Sequence, residues 1–536
     1  MRALIEKELL LEQASAGEVL DVLGERFQLR EQETSQLDST FWDTFDWRVW
    51  KSGGLLVDRP ATADVRSMIL HSNDGQDSEP RREIAWCEHD GRIKQIAWLA
   101  EGDGLGMAEE LPETLAELAP TLSMRRLMPV LHLRESGRVL RVLDESEKTV
   151  VRLRLVEATA ARDRETAPQT LPPRLRIEPV RGYDAEEAEV LRFLADQFRL
   201  PESAQSLFQN GLEALGRRPG DYSSKVRLKL RRSATTLDAA LSIYRALFDS
   251  MLTNEPGTRA DIDSEFLHDY RVAVRRTRSA LSQVKGVFTP DVLEHFKRQF
   301  RWLGQITGPT RDLDVYLLKM PAYWADLPES AQDDLEPLQR FLVARQATEQ
   351  KRLVKQLDSA RYRDLIESWR RQLAQPAAGP SAQQPAIDVA SARIWKLYRR
   401  MVKAGRAIET ETPAEFVHDV RIMGKKLRYL MEFFRSLYPK SAVDEAISEL
   451  KRLQDNLGDF NDYEVQEAAM GQFAEQLAAE MAKADEDPAK TLLAMGRLQA
   501  HLDEGRRRER QRFHKRFERF ADADNRRRFE KLFARS

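Results

Sequence analysis

The strongest constraint on this chain is a pattern that occurs twice. Residues 265–281 read EFLHDYRVAVRRTRSAL, and residues 415–430 read EFVHDVRIMGKKLRYL. His418 follows His268 by 150 residues, and both copies keep the order His-Asp-x-Arg-x-x-x-basic-basic-x-Arg. Internal repetition fixes architecture before any local reading does. At a helical period of about 100° per residue, His268, Arg271, Arg275 and Arg278 share one stripe. Leu267, Tyr270, Val274, Thr277 and Leu281 form the apolar stripe beside it. The second copy sets His418, Arg421, Lys425 and Arg428 beside Val417, Val420, Leu427 and Met431. Each helix is expected to dock by its apolar stripe and to present a line of cations along the next. Like charges at helical spacing repel, so such a line calls for a polyanion.

Composition narrows the meaning of those stripes. Charged residues make up 32% of 536, yet the formal net charge is −2, so the basic stripes are local. A globally basic nucleic-acid binder would look different. The single cysteine, Cys87, excludes an internal disulfide and a cysteine zinc cluster, as suits a reducing compartment. The opening MRALIEKELLLEQ puts acidic residues inside its apolar run and offers no small-residue cleavage site, unlike a signal peptide. No apolar run reaches the ~18 residues that would suggest a membrane span. The expectation is a cytoplasmic protein with no membrane partner.

The fold class expected is α+β, in two parts. Residues 1–230 carry short alternating segments: Ile5, Lys7 and Leu9 against Glu6 and Glu8, Val151, Leu153 and Leu155 against Arg152 and Arg154, and Val226, Leu228 and Leu230 against Lys225, Arg227 and Lys229. Period-two alternation with charge on one face predicts an antiparallel sheet or a barrel with a charged interior. Residues 235–536 turn helical and stay so. The stretch 375–385, QPAAGPSAQQP, reads as a linker between repeats 235–374 and 386–536. Gly308 and Asp312 recur as Gly458 and Asp462 at the same offset of 150, so each aspartate is expected to cap a helix after its glycine.

The run Phe41-Trp42-Asp43-Thr44-x-Asp46 followed by Gly53-Gly54-Leu55, with Glu6 and Glu8 upstream, resembles the CYTH domain of triphosphatases and class IV adenylate cyclases. That resemblance implies a β tunnel holding triphosphate on inward cations and a divalent metal on inward carboxylates. Glu6 and Glu8 would be the catalytic, metal-holding residues, with Mg or Mn as the ion. Arg59, Arg125, Lys225 and Arg227 would hold phosphate. The departures are informative. Leu10 stands where the family has its opening lysine, and after Gly54 the Leu-Arg-x-Arg pattern becomes Leu55-Leu56-Val57-Asp58-Arg59. A tunnel that has lost cations neutralises a triphosphate poorly, so catalysis is expected to be lost.

The paired histidine motifs, with the run Arg311-Asp312-Leu313-Asp314, resemble the CHAD domain, which often follows a CYTH domain. The resemblance covers residues 235 to the C-terminus. It implies a duplicated helical bundle facing across a basic groove, with inorganic polyphosphate as ligand and no cofactor required. Its binding positions map to His268, Arg271, Arg275, Arg276 and Arg278, and to His418, Arg421, Lys425, Lys426 and Arg428, with Arg311 beside them. Arginine suits the task because its planar fork grips two phosphate oxygens at once. Arg508 and Arg512, in the basic run 506–516, are further candidates on one helix face. Polyphosphate granules are one place where such a ligand would be met. The alternatives are a Mg- or Mn-dependent inorganic triphosphatase with the helices as substrate tether, and a nucleic-acid or ribosome-binding protein. The last ranks lowest because the histidine helices carry little aromatic interleaving for base stacking.

Overall fold

The computed structural model describes residues 7–11, 14–60, 65–72, 82–87, 119–163, 166–198, 200, 201, 203, 205–409 and 411–534. The chain divides into two compact units, Met1–Ser223 and Ser224–Ser536.

The first unit is built on an antiparallel sheet. Its strands are β1 (Lys7–Leu10), β2 (Gln28–Thr44), β3 (Gly54–Pro60), β4 (Val65–Ser72), β5 (Arg82–Cys87), β6 (Leu127–Leu143), β7 (Thr149–Ala161), β8 (Gln169–Thr170) and β9 (Arg174–Pro179). Among the described residues they run in the order β1-β9-β7-β6-β2-β3-β4-β5, with β8 beside β7. Side chains alternate across a strand, and the expected division of faces is present. Leu153, Leu155, Leu175 and Ile177 are buried with Val19 and Leu23 of α1 (Ala16–Arg26) and Val190 and Leu194 of α2 (Asp184–Gln197) in one core, and α3 (Leu207–Ala214) packs Leu207, Phe208 and Leu212 on Val156 and Ala158. Ser15 and Glu18 close a capping box at the start of α1, which satisfies N–H groups the helix cannot. The opposite face carries Glu8, Arg176 and Arg154, paired in one cross-strand row. Between β2 and β3 the chain makes a single helical turn, Arg48–Lys51. Asp43 accepts the N–H groups of Thr44, Val49 and Trp50 there, at 2.7, 2.9 and 2.9 Å.

The second unit is helical: α4 (Thr236–Arg259), α5 (Ser264–Gln283), α6 (Pro290–Ile306), α7 (Gly308–Ala325), α8 (Glu336–Leu357), α9 (Ala360–Ala374), α10 (Ala386–Arg406), α11 (Ala414–Phe433), α12 (Lys440–Lys483), α13 (Ala489–Phe520) and α14 (Ala523–Phe533). A continuous core joins α5 and α11. It contains Leu267, Tyr270, Val274 and Leu281 from the first and Val417, Val420, Leu427 and Met431 from the second. The apolar stripes read from the sequence are therefore the docking faces. A second core packs Tyr316, Leu338 and Phe341 against Met470, Leu477 and Leu498.

Two local expectations are corrected. Residues 225–231 form no strand. Val226, Leu228 and Leu230 instead pack on the helical core, and the Leu230 N–H donates to Ser436 Oγ at 2.9 Å. Alternation reports one buried side, and here helices cover it. Asp312 and Asp462 are not caps. The turn holding Asp312 begins at Gly308, four residues earlier, and α12 runs unbroken for 44 residues through Gly458. Leu453, Leu457 and Phe460 are buried along it, and that packing overrides the ~1 kcal/mol helix penalty of one glycine. The stretch 375–385, expected as a linker, is pinned by its backbone. Gly379 and Ser381 donate their N–H groups to the carbonyls of Val287 and Gly286, each at 2.7 Å. A side chain at Gly379 would collide with the Phe288 carbonyl, so glycine is required at that crossing.

Candidate functional site

The two histidine helices start differently but place their histidines alike. The Asp263 side chain caps α5 by accepting the N–H groups of Glu265 and Phe266, whereas Pro413 precedes α11. His268 and His418 each sit in the second turn. From there the stripes of α5 and α11 run along a cavity of about 1070 Å³ within the helical unit, completed by α6, α7 and α12. Of the described residues lining it, nine are arginine or lysine and two, Asp312 and Asp462, are carboxylates. Cation repulsion is thus concentrated in one partly desolvated space.

The cavity gathers nine of the thirteen positions expected from the sequence: His268, Arg271, Arg275, Arg278, Arg311, His418, Arg421, Lys425 and Lys426. It does not include the other four. Arg276 pairs with Glu432 at 2.9 Å and lies 5.3 Å from the Tyr429 ring centroid. Arg428 also reaches Glu432, at 3.6 Å. Glu432 is the acid that diverts both. Arg508 is exposed. Arg512 pairs with Glu509 at 2.7 Å and lines a separate pocket of about 380 Å³ with Arg452, Arg516 and Arg519. Two cations of the cavity were not foreseen, Lys297 and Arg301 on α6. Their spacing of one helical turn is a visible signal, but only packing shows which way that face points.

The histidines are held by different partners. His268 Nδ1 lies 3.1 Å from Arg311 Nη2. A guanidinium can only donate, so this contact assigns the His268 ring proton to Nε2. His418 Nδ1 lies 2.9 Å from Asn461 Oδ1. Asn461 Nδ2 points toward Asp462 Oδ1 at 3.4 Å, which orients the amide so that His418 Nδ1–H donates. Asn461 follows Arg311 by 150 residues, so equivalent positions select opposite tautomers. Arg311 is held further by the Ser264 carbonyl at 2.9 Å and by Glu265 at 3.7 Å.

Burial sets the electrostatics of the remaining cations. Arg271 donates to Gly304 O at 3.1 Å and to Thr307 Oγ1 at 2.9 Å, tying off the end of α6. Its guanidinium is pushed down by burial and by Arg275 and Arg311, with Asp312 opposing. Burial with Arg301 and Arg275 lowers Arg278, and burial with Arg275 lowers Arg421. Lys425 is driven furthest, down to about 8, by burial and by Arg421 and Arg275. Every one of these shifts means that the cavity disfavours the charged form. A bound anion reverses that penalty.

The charged face of the sheet unit is balanced instead. Glu8 pairs with the buried Arg174 at 2.9 Å and with Arg176 at 3.1 Å. Arg154 lies 3.7 Å from Glu178. Glu135 is raised by burial, against the pull of Arg176, Arg59 and Arg154. With its carboxylate held by two guanidiniums, Glu8 does not fit a divalent ion. Among the described residues no group of three or more His, Cys, Asp or Glu could hold one. Glu6 lies outside the described residues. Of the expected phosphate contacts in this unit, Arg59 stays near Glu135. Arg125 is buried, 3.7 Å from Asp46, and faces Phe45. Lys225 and Arg227 belong to the helical unit.

Residues 242–471 match the CHAD domain. The matched segment contains both histidine helices and the whole cavity lining. Among solved structures, the CHAD domain of the plant Ricinus communis is 24% identical, with a TM-score of 0.47, covering 55% of this chain and 95% of that one. PptA from Streptomyces chartreusis is 16% identical, with a TM-score of 0.39, covering 53% and 100%. An adenylyl cyclase candidate of Hippeastrum with a dominant triphosphatase activity is 17% identical, with a TM-score of 0.27, covering 41% and 99%. No curated protein matches the chain. No helix among the described residues is long and apolar enough to cross a membrane.

Proposed function

We propose that the helical unit binds inorganic polyphosphate in the cavity between α5 and α11, and that the sheet unit is a CYTH-like fold without triphosphatase activity. The helical unit is read as two copies of one bundle, because His268 and His418, Arg271 and Arg421, and Arg311 and Asn461 keep one offset of 150. The observation that carries the ligand reading is the lining itself: nine cations against two carboxylates, along one cavity that opens to solvent. A flexible chain with a negative charge on every unit can meet several of these cations at once, by charge-assisted hydrogen bonds. Binding needs no cofactor, since the cations themselves supply the neutralising charge.

Two rival functions fit less well. A metal-dependent triphosphatase requires a free carboxylate pair, and Glu8 is already engaged by Arg174 and Arg176. Nucleic acid requires exposed ring faces for base stacking, and the two tyrosines at the cavity, Tyr316 and Tyr429, are buried. The test is a titration of labelled long-chain polyphosphate with single-stranded RNA as competitor, alongside a phosphate-release assay on tripolyphosphate with Mg or Mn. Tight binding that RNA does not displace, with no phosphate release, is the expected result. Ready displacement by RNA would overturn the ligand assignment. Metal-dependent release abolished by Glu6→Ala would restore the triphosphatase reading.

A further inference from the structure

Lys425 stands apart from the guanidiniums around it. Arg271 is engaged by Gly304 and Thr307, Arg311 by Ser264 and His268, and Arg421 lies 3.7 Å from Asp462. Lys425, like Arg275 and Arg278, lines the cavity without an ion pair or hydrogen bond among the described residues, and of these three it alone is a lysine. The charged groups facing it are Arg421 and Arg428 on its own helix, Arg275 from α5, and Asp462 from α12 as the one opposing charge. An arginine in that place would stay charged, whereas a lysine can release its proton and become a nucleophile.

We propose that Lys425 is an acylation site, which takes the acyl group of a small acyl phosphate whose phosphate is gripped by the surrounding guanidiniums. This rests on the reading that the cavity accepts phosphate groups, though not on chain length. The unprotonated Nζ lone pair attacks the acyl carbonyl carbon, and a C–N bond forms. The bond from that carbon to the bridging oxygen breaks, and its electron pair leaves with orthophosphate. The nitrogen's surplus proton passes to the departing phosphate or to water. No oxidant or reductant takes part. Arg275 and Arg421 hold the donor beside the amine and stabilise the charge gathering on the leaving oxygen. The product is a neutral amide, so the cavity loses one of its cations and its hold on a polyanion.

The same surroundings prepare the amine, since burial and the guanidiniums lower its pKa to about 8. At pH 7.5 that raises the unprotonated fraction roughly 200-fold over an ordinary lysine. A Brønsted slope of about 0.5 takes back roughly 20-fold through lower nucleophilicity. A rate advantage of about tenfold remains, before any gain from holding the donor.

The experiment treats the full chain with acetyl phosphate at pH 7.5 and reads acetylation at each lysine by mass spectrometry. Exposed Lys403 is the internal reference, and a neutral donor, N-acetoxysuccinimide, is the control. Polyphosphate affinity is measured on each sample before and after treatment, for the wild type and for Lys425→Arg. Lys425 should be modified about tenfold or more faster than Lys403 by acetyl phosphate, with polyphosphate suppressing the reaction. Treatment should weaken binding in the wild type and leave Lys425→Arg unchanged. Three results would overturn the proposal: no preference for Lys425, the same preference with the neutral donor, or an equal loss of affinity in Lys425→Arg. Affinity of the untreated protein reports separately on the polyphosphate reading, so either can fail while the other stands.

Discussion

Replacing Lys425 by methionine should make the ligand-free protein more stable while weakening its grip on polyphosphate. Burial, Arg421 and Arg275 hold this lysine's pKa at about 8, against an ordinary 10.5. That lowering corresponds to ~3 kcal/mol between the two protonation states. Because the side chain still reaches solvent through the cavity, screening reduces this to roughly 1–2 kcal/mol. The sign follows from linkage. The folded pKa lies below the unfolded one, so the penalty on the wild type is complete below pH ~8 and fades as pH rises toward ~10.5, where both states are neutral. Methionine has similar length, no charge and fills the same channel. Urea unfolding, followed by hydrogen exchange in α11, should show Lys425→Met gaining roughly 1–2 kcal/mol at pH 7 and little near pH 10.5. Its polyphosphate affinity should fall, with a salt slope shallower by about 0.7, if the single-strand coefficient carries over. A variant less stable than wild type at pH 7, or a gap that does not change with pH, would refute the electrostatic account of this cavity.

Other positions separate structural from ligand-facing roles. Arg271→Ala should cost the ligand-free protein roughly 1–2 kcal/mol, because it frees Gly304 O and Thr307 at the end of α6. Arg421→Ala removes a cation whose charged form burial and Arg275 disfavour, so it should not cost the ligand-free protein stability, and thermal unfolding without phosphate compares the two. Asp314, pushed up to about 7 by burial, has a folded pKa above its unfolded one, so its penalty grows as pH rises through that interval. Asp314→Asn should therefore gain roughly 1–2 kcal/mol at pH 8 and almost nothing at pH 4. An added Cβ at Gly458 meets nothing within 4 Å, so Gly458→Ala should stabilise α12 by ~1 kcal/mol. Gly405→Ala would press into the Phe517 ring and should destabilise by about 1–3 kcal/mol. Urea midpoints check both glycine variants.

The sequence made the histidine helices legible because two periodicities coincide there. The stripe of His268, Arg271, Arg275 and Arg278 could be placed on a face, and the apolar stripe beside it said which face was buried. Local reading failed wherever tertiary packing decided. Nothing in their spacing sets Lys297 and Arg301 apart from a solvated helix face, and only the approach of α6 turns them inward. Arg276 and Arg428 matched the motif, yet Glu432 draws them aside: its i,i+4 spacing to Arg428 was readable, whereas for Arg276 the acid acts from the neighbouring helix, which no spacing rule reveals. Alternation at Val226, Leu228 and Leu230 was real, but the surface it meets is helical. Gly308 and Gly458 occupy equivalent places, and one opens a helix while the other lies within one. The proline after Gly308, absent after Gly458, is the physical difference, since proline lacks the N–H that would continue the preceding helix.

The most direct measurement of the central claim is an anisotropy titration of labelled polyphosphate against three proteins, at about 50 mM and 200 mM salt. They are the wild type, the cavity variant Arg275→Ala/Arg421→Ala, and the surface variant Arg508→Ala/Arg512→Ala. A polyanion held inside the cavity predicts at least a tenfold loss of affinity and a salt slope shallower by roughly 1.4 for the cavity variant. The surface variant should stay within about twofold of wild type. Equal losses in both variants, or no loss in the cavity variant, would contradict the account.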